Sequence, residues 1–186
     1  MAIDVKKLLS EAIIELSYEK PLRKITINDI TKRAGTGRQT FYNHFRDKND
    51  LIYWDFLRTL AGEKRIMKTD GFFAYLYSLH KKAQEKQNFL TQACKLEGQN
   101  SLSEAIFNQT YTYYRNCIID HFGQEAMTEK LEFSLLFNAY GATSMYIHWA
   151  EMEMPGSAEE QARYALHCIP QSLKKYLPIK EEDLVD

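Results

Sequence analysis

The chain has 186 residues, 45% of them hydrophobic and 26% charged, with only 8 Gly and 4 Pro; this balance excludes wholesale disorder and a collagenous, linker-dominated or turn-rich all-β chain. Three widely spaced cysteines, Cys94, Cys117 and Cys168, argue against a secreted disulfide scaffold and for a reducing compartment. The net charge of −1 hides an asymmetry, because residues 20–48 hold 8 Lys/Arg against 2 Asp/Glu while the positions after 50 hold 14 against 18.

Along the chain, the opening MAIDVKKLLSEAII lacks a basic flank followed by an apolar run, so no signal peptide is expected and a cytoplasmic location is read. Val5, Leu8, Leu9, Ala12 and Leu16 recur at helical spacing and predict a first helix that stops before Pro21. Thr26 is a natural N-cap with Asp29 three residues on, and Ile25 and Ile30 are spaced as a hydrophobic staple. They predict a second helix with Ile27, Ile30 and Ala34 inward and Gly35 as its stop. A third helix is expected over about 37–45, with Thr36 and Gln39 as a second capping pattern. Three short helices, the last two joined by a tight glycine turn, are the layout of a helix-turn-helix unit.

A long fourth helix is predicted from Asp47–Lys48 past Leu60. Others follow at 71–86, 88–96, 101–122, 128–153 and 157–177, separated by Gly98, Gly123 and Pro155–Gly156. The fold expected is all-α: a three-helix head over 1–50, a boundary inside the fourth helix at about 48–66, and a helical body over 67–186. The uncharged stretch from Phe133 to Ala150 carries Asn138, Thr143, two serines and His148, which suits a buried helix better than a membrane span. The basic head points to a polyanion, and a solvated basic face is the other reading of the same cluster.

The segment from Ile25 to Leu51, ITINDITKRAGTGRQTFYNHFRDKNDL, resembles the DNA-binding head of the TetR family of bacterial transcriptional regulators. The matching positions are Ile25–Thr26, Asp29–Ile30, Ala34–Gly35, Thr40–Phe41–Tyr42, His44–Phe45, Lys48 and Leu51. Within it, the RQTFYN core looks like the branch that includes the dihydroxyacetone-kinase regulator of lactic acid bacteria. The resemblance covers about a quarter of the chain; the rest matches the family only in length and helical character.

The residues support the same assignment. Phe41 and Phe45 share one face of the third helix and suit packing against Ile30, while Arg38, Gln39, Tyr42 and Asn43 lie opposite. Arg can hold a guanine bidentately and Gln an adenine, so Arg38 and Gln39 are the expected base readers. Thr40, Tyr42 and His44 are placed for phosphate oxygens, as the resemblance also implies. Thr26 and Lys48 stand at helix starts, where N–H groups and the positive dipole end favour phosphate. Thr26 is equally a plain cap, and His44 equally a packing residue. The sequence departs from the family pattern at Thr36, Gly37 and Gln39, which usually are apolar, Ser or Ala, and small, so the operator does not carry over from relatives.

In the body, Phe73, Tyr77, Phe107, Tyr111, Tyr114, Phe137, Tyr140, His148 and Trp149 admit two readings. One is an aromatic core; the other is an apolar effector pocket with tyrosine hydroxyls and His148 as polar handles. The 128–153 helix has Phe133, Phe137, Tyr140, Ser144, Ile147 and His148 on one side and Leu136, Ala139, Thr143, Tyr146 and Ala150 on another. A helix apolar nearly all round needs cover on both sides, and a partner subunit is a natural cover. The last helix carries Ala162, Leu166, Ile169, Leu173 and Tyr176 in register, with a kink expected at Pro170. The resemblance implies that the last two helices form a four-helix dimer interface. Cys94, Cys117, His121, His148, His167 and Cys168 show no metal-ligand spacing, and no phosphate loop or nucleophile elbow is visible. The function expected is a homodimeric, effector-responsive DNA-binding regulator without cofactor, metal or enzymatic activity, by default a repressor. An activator, a protein-interaction module with a vestigial head, and an enzyme using the aromatic cavity are the rivals.

Overall fold

The structure is a computed structural model that describes residues 4–96, 101–180 and 183. Among these residues it holds ten α-helices, two single 3-10 turns and no strand. The Gly98 separator lies outside the described residues.

Local chemistry sets the head. Asp4 accepts from the Lys7 backbone N–H at 3.1 Å and opens α1 (Val5–Ser17), meeting one of the donors that a helix start leaves unpaired. Leu9, Ala12, Ile13 and Leu16 are buried, whereas Leu8 is 36% exposed, so the inward stripe runs through Ile13 instead. After a 3-10 turn at Leu22–Lys24, Thr26 and Asp29 close a reciprocal capping box on α2 (Ile27–Arg33). That helix ends in a Schellman closure: Gly35, at φ +66°, donates to Lys32 O, and Thr36 donates to Thr31 O at 2.8 Å.

The closure corrects the expected start of the third helix. Thr36 is held in the turn, so Gly37 is the N-cap of α3 (Arg38–Tyr42), with no side-chain cap. The Thr36 hydroxyl is buried without a hydrogen bond, and Gln39 Nε2 donates to Asn43 Oδ1 at 3.2 Å instead of completing a cap. The helix is five residues long rather than nine.

Asp47 then caps α4 (Lys48–Asp70), followed by α5 (Phe72–Glu85), α6 (Gln87–Cys94), α7 (Leu102–Phe122), α8 (Glu129–Glu151), α9 (Ala158–His167) and α10 (Gln171–Lys174). Pro170 does more than kink the last predicted helix. It takes an extended backbone, φ −56° and ψ 140°, and divides the helix into α9 and α10, because it has no N–H to continue the ladder. Among the described residues no helix is long and apolar enough to cross a membrane.

One core joins head and body. Leu9, Ile13, Leu22, Ile30, Phe41, Phe45 and Leu51 pack in a single cluster with Phe89 and Ala93 of α6 and Leu102, Ala105 and Ile106 of α7. A second cluster, around Phe72, Tyr114, Ile118, Leu135 and Leu173, fills the far end of the body. Between the head and the C-terminal end of α8, α6 is a strut. On one side, Asn88 and Gln92 donate to Ser17 O at 2.7 and 3.1 Å, and Gln92 Oε1 accepts from Leu22 N at 2.6 Å. On the other, Thr91 donates to Ala150 O and Gln87 to Glu153 O, at 2.9 and 2.6 Å.

Candidate nucleic-acid interface

Two aromatic rings anchor α3. Phe41 is fully buried and Phe45 nearly so, their ring centroids 5.8 Å apart, as the i, i+4 spacing requires. Burying this face turns the other to solvent: Gly37, Arg38, Gln39, Tyr42, Asn43 and His44 are all exposed, and Thr40 is half-buried. Tyr42, at 46% exposure, lies outside the core, although its ring edge meets Phe41 at 5.6 Å. His44 is exposed, with its ring 6.5 Å from that of Phe45.

The two helix-start groups are already engaged. Thr26 Oγ1 accepts from Asp29 N at 3.2 Å and donates to Asp29 Oδ2 at 2.7 Å. Lys20, at 2.8 Å, and the Thr26 backbone N–H and hydroxyl hold the Asp29 carboxyl well below the usual carboxylate range. Lys48 Nζ donates to Leu22 O at 2.7 Å and Ile25 O at 3.1 Å, and burial lowers the pKa of its ammonium. Sequence reasoning missed this clamp, whose carbonyls lie 26 and 23 residues upstream. Arg33 is engaged at the surface of the head, pairing with Glu19 at 2.6 Å and Glu15 at 3.3 Å. Part of the basic excess is therefore neutralised in place.

The aromatic residues read as an effector pocket are scattered rather than gathered around one space. Phe107, Tyr111 and Tyr140 do meet, Phe107 lying 6.0 Å from Tyr111 and 4.4 Å from Tyr140, and Tyr111 donates to Glu132. They meet at the surface, however, beside Phe137 at 70% exposure, with Tyr140 at 61% and His148 also exposed. Tyr114 is in the second core against Phe72, and Trp149 is buried beside His80. Phe73 lies under Arg163 and Tyr77 beside Lys81. The correction has one cause: α8 turns Phe133, Phe137, Tyr140, Gly141, Ser144, Met145 and His148 outward as a single uncharged stripe, while Leu131, Leu135, Asn138, Ala139 and Thr143 face in.

Comparison with known proteins agrees with this geometry. The family described as "Bacterial regulatory proteins, tetR family" matches residues 9–53, and a "Transcriptional regulator C-terminal region" family matches residues 70–171, more than half of the chain. An uncharacterized HTH-type transcriptional regulator, YvdT of Bacillus subtilis, is 52% identical over 42 residues, 23% of this chain and 22% of its own length. The HTH-type dhaKLM operon transcriptional activator DhaS of Lactococcus lactis is 33% identical over 60 residues, 32% of each chain. The chain thus aligns with about a fifth to a third of these curated relatives. A solved structure, the dihydroxyacetone kinase operon activator DhaS, superposes with a TM-score of 0.65 at 19% identity over 95% of this chain and 99% of that one, a likeness of fold. With a helix-turn-helix head, a helical body and both family matches in agreement, the chain belongs to the tetR family of bacterial regulatory proteins and is a DNA-binding transcriptional regulator.

Proposed function

We propose that the protein binds a near-palindromic operator as a homodimer and that a small-molecule effector modulates this binding. The carrying observation is α3: its inner face is locked by Phe41 and Phe45, so Arg38, Gln39, Tyr42 and Asn43 are presented outward from a fixed platform. Arg38 and Gln39 read base edges in the major groove. Thr40, Tyr42 and His44 take phosphate oxygens, and Thr36 and Gly37 bring the backbone of the turn close to the duplex. Thr26 and Lys48 reach phosphate by giving up one internal bond each, or through the remaining ammonium N–H in the case of Lys48.

The uncharged outer stripe of α8 supports the dimer. From Phe133 to His148 it runs roughly 22 Å at 1.5 Å per residue, with Gly141 and Ser144 at mid-length to permit close helix approach. Two copies joined there, with α9 alongside, present their recognition helices roughly 34–36 Å apart, one turn of DNA. Repression is the default outcome, because a bound dimer obstructs polymerase without further contacts. Activation is the second reading, favoured by the description of the Lactococcus lactis relative as an activator.

Selection of bound duplexes from a random pool at near-physiological salt tests the proposal. An enriched palindrome with half-sites one turn apart is expected, and its position relative to the promoter decides between repression and activation. Failure to enrich any sequence, with the dimer intact, would overturn operator binding by the unliganded protein.

A further inference from the structure

The head and the body meet at one buried carboxylate. Asp55 of α4 is 3% exposed and accepts from Ser10 Oγ of α1 at 2.6 Å, from Arg58 at 3.0 Å, and from Lys86 Nζ, between α5 and α6, at 2.8 Å. A carboxylate at this depth is tolerable only when paired and hydrogen-bonded. Burial pushes its pKa up, but Lys86, Ser10 and Arg58 outweigh burial and leave it below the ordinary value. Asp55 and Lys86 also wall a cavity of about 30 Å³, whose other lining includes Ile52, Phe56, Phe89 and Tyr146, with Thr59 and Lys82 as its remaining polar side chains. That volume is about the share of one water molecule.

Lys86 is the movable member of this arrangement. Its side chain is 27% exposed against 4% for that of Asp55, so a rotation about its flexible stem returns the ammonium to solvent, whereas Arg58, though 39% exposed, is also held over the Trp54 ring at 5.4 Å. The move would leave a buried anion beside an apolar, partly aromatic space, enlarged by the volume of the departed stem. We propose that this space is a binding site for a small organic cation, a primary alkylammonium whose nitrogen replaces Lys86 Nζ on Asp55 and whose alkyl part fills the cavity. Such a ligand restores a cationic N–H donor to Asp55 Oδ2, the oxygen that Lys86 leaves while Arg58 and Ser10 stay on Oδ1, and buries apolar surface that the lysine stem leaves at the rim. A carboxylate ligand would instead enter against the charge of Asp55. Occupancy exchanges the ion pair that ties the α5–α6 junction to α4 for a ligand contact, on the same carboxylate that holds Ser10 of the head. The consequence for DNA rests on the proposed effector control; the binding does not.

The test uses Lys86→Ala, which vacates the ammonium position while Ser10 and Arg58 still hold Asp55. Thermal melting is followed with butylammonium chloride, sodium butyrate and butanol at matched concentration and ionic strength. Butylammonium is expected to raise the melting temperature of the variant by several degrees, and that of the wild type by less because Lys86 competes. Butyrate and butanol should do neither. Tetramethylammonium, charged but without an N–H donor, should also fail, and Asp55→Asn should abolish the effect wherever that variant folds. Equal shifts from all the solutes, stabilisation by butyrate alone, or no shift overturns the site. Ammonium-specific stabilisation with unchanged operator affinity upholds the site and removes its role as effector site, so the two failures are distinguishable.

Discussion

Arg38 and Lys48 both carry a positive charge in the head, and their surroundings assign them different work. Arg38 is an exposed side chain on the outer face of α3, so Arg38→Ala should leave folding unchanged, cost roughly 1–3 kcal/mol of operator affinity and relax the preference at one base pair per half-site. Lys48 holds two carbonyls of the chain around the 3-10 turn. Lys48→Ala should therefore lower stability by about 1–2 kcal/mol, hydrogen bonds from a charged donor being the stronger kind. It should also weaken binding to all sequences and flatten the salt dependence. Urea denaturation together with affinities at several salt concentrations separates the two; equal stability losses would contradict the division. The outward face of α3 was legible in the sequence because Phe41 and Phe45 lie one helical turn apart and fix which side is inward. The Lys48 clamp was not, since its acceptors are backbone carbonyls more than twenty residues away and carry no sequence signature.

For helices, the two ends of the chain differ in legibility. The cap of α2 is a local event, and Thr26 and Asp29 form the capping box that their spacing announces. The start of α3 misleads because Thr36 satisfies a capping pattern while the Schellman closure of α2 already holds its backbone. On α8, the periodicity separates two faces but does not say which one the chain covers itself. The structure turns the face of Phe133, Phe137 and Tyr140 outward, at 71%, 70% and 61% exposure, which takes Phe137, Tyr140 and His148 out of any internal pocket. An exposed aromatic stripe of this kind marks an interaction surface. Phe137→Glu should leave the helical content intact, shift the protein to a species sedimenting near 21.8 kDa, and weaken operator binding roughly 100-fold or more through lost bivalency. A wild-type protein that already sediments at the monomer mass would refute the interface.

At the scale of the whole molecule, stability should fall with acid in two stages. His80 is buried against Trp149 and Tyr146 at 5.1 and 5.7 Å, and burial lowers its pKa from 6.5, opposed by its bond to Leu76 O. Below pH 6.5 the unfolded chain binds a proton there that the folded chain resists, so stability drops as pH falls from 6.5 toward the folded value. Asp29, Asp55 and Glu160 are held below their ordinary values. Their contribution is complete above the ordinary carboxylate range and is lost as pH falls through their folded values. Urea midpoints at about pH 7, 5.5, 4 and 2.5 should show both stages, the second mostly below pH 4, and His80→Phe should remove the first while keeping the second. A first stage that survives in that variant would assign it to another group. The strut made by α6 bears on modularity. The hydrophobic interior of the DNA-reading unit is completed by Phe89 and Ala93, and its first helix and 3-10 turn are tied down by Asn88 and Gln92. A chimera that transplants residues 1–50 onto the body of a relative would cut through that interior, exposing apolar surface and leaving the Ser17 carbonyl and the Leu22 N–H unmatched. The transferable unit is therefore discontinuous in sequence, and an exchange of DNA specificity between relatives must carry the inner face of α6 along with the helices that touch the operator.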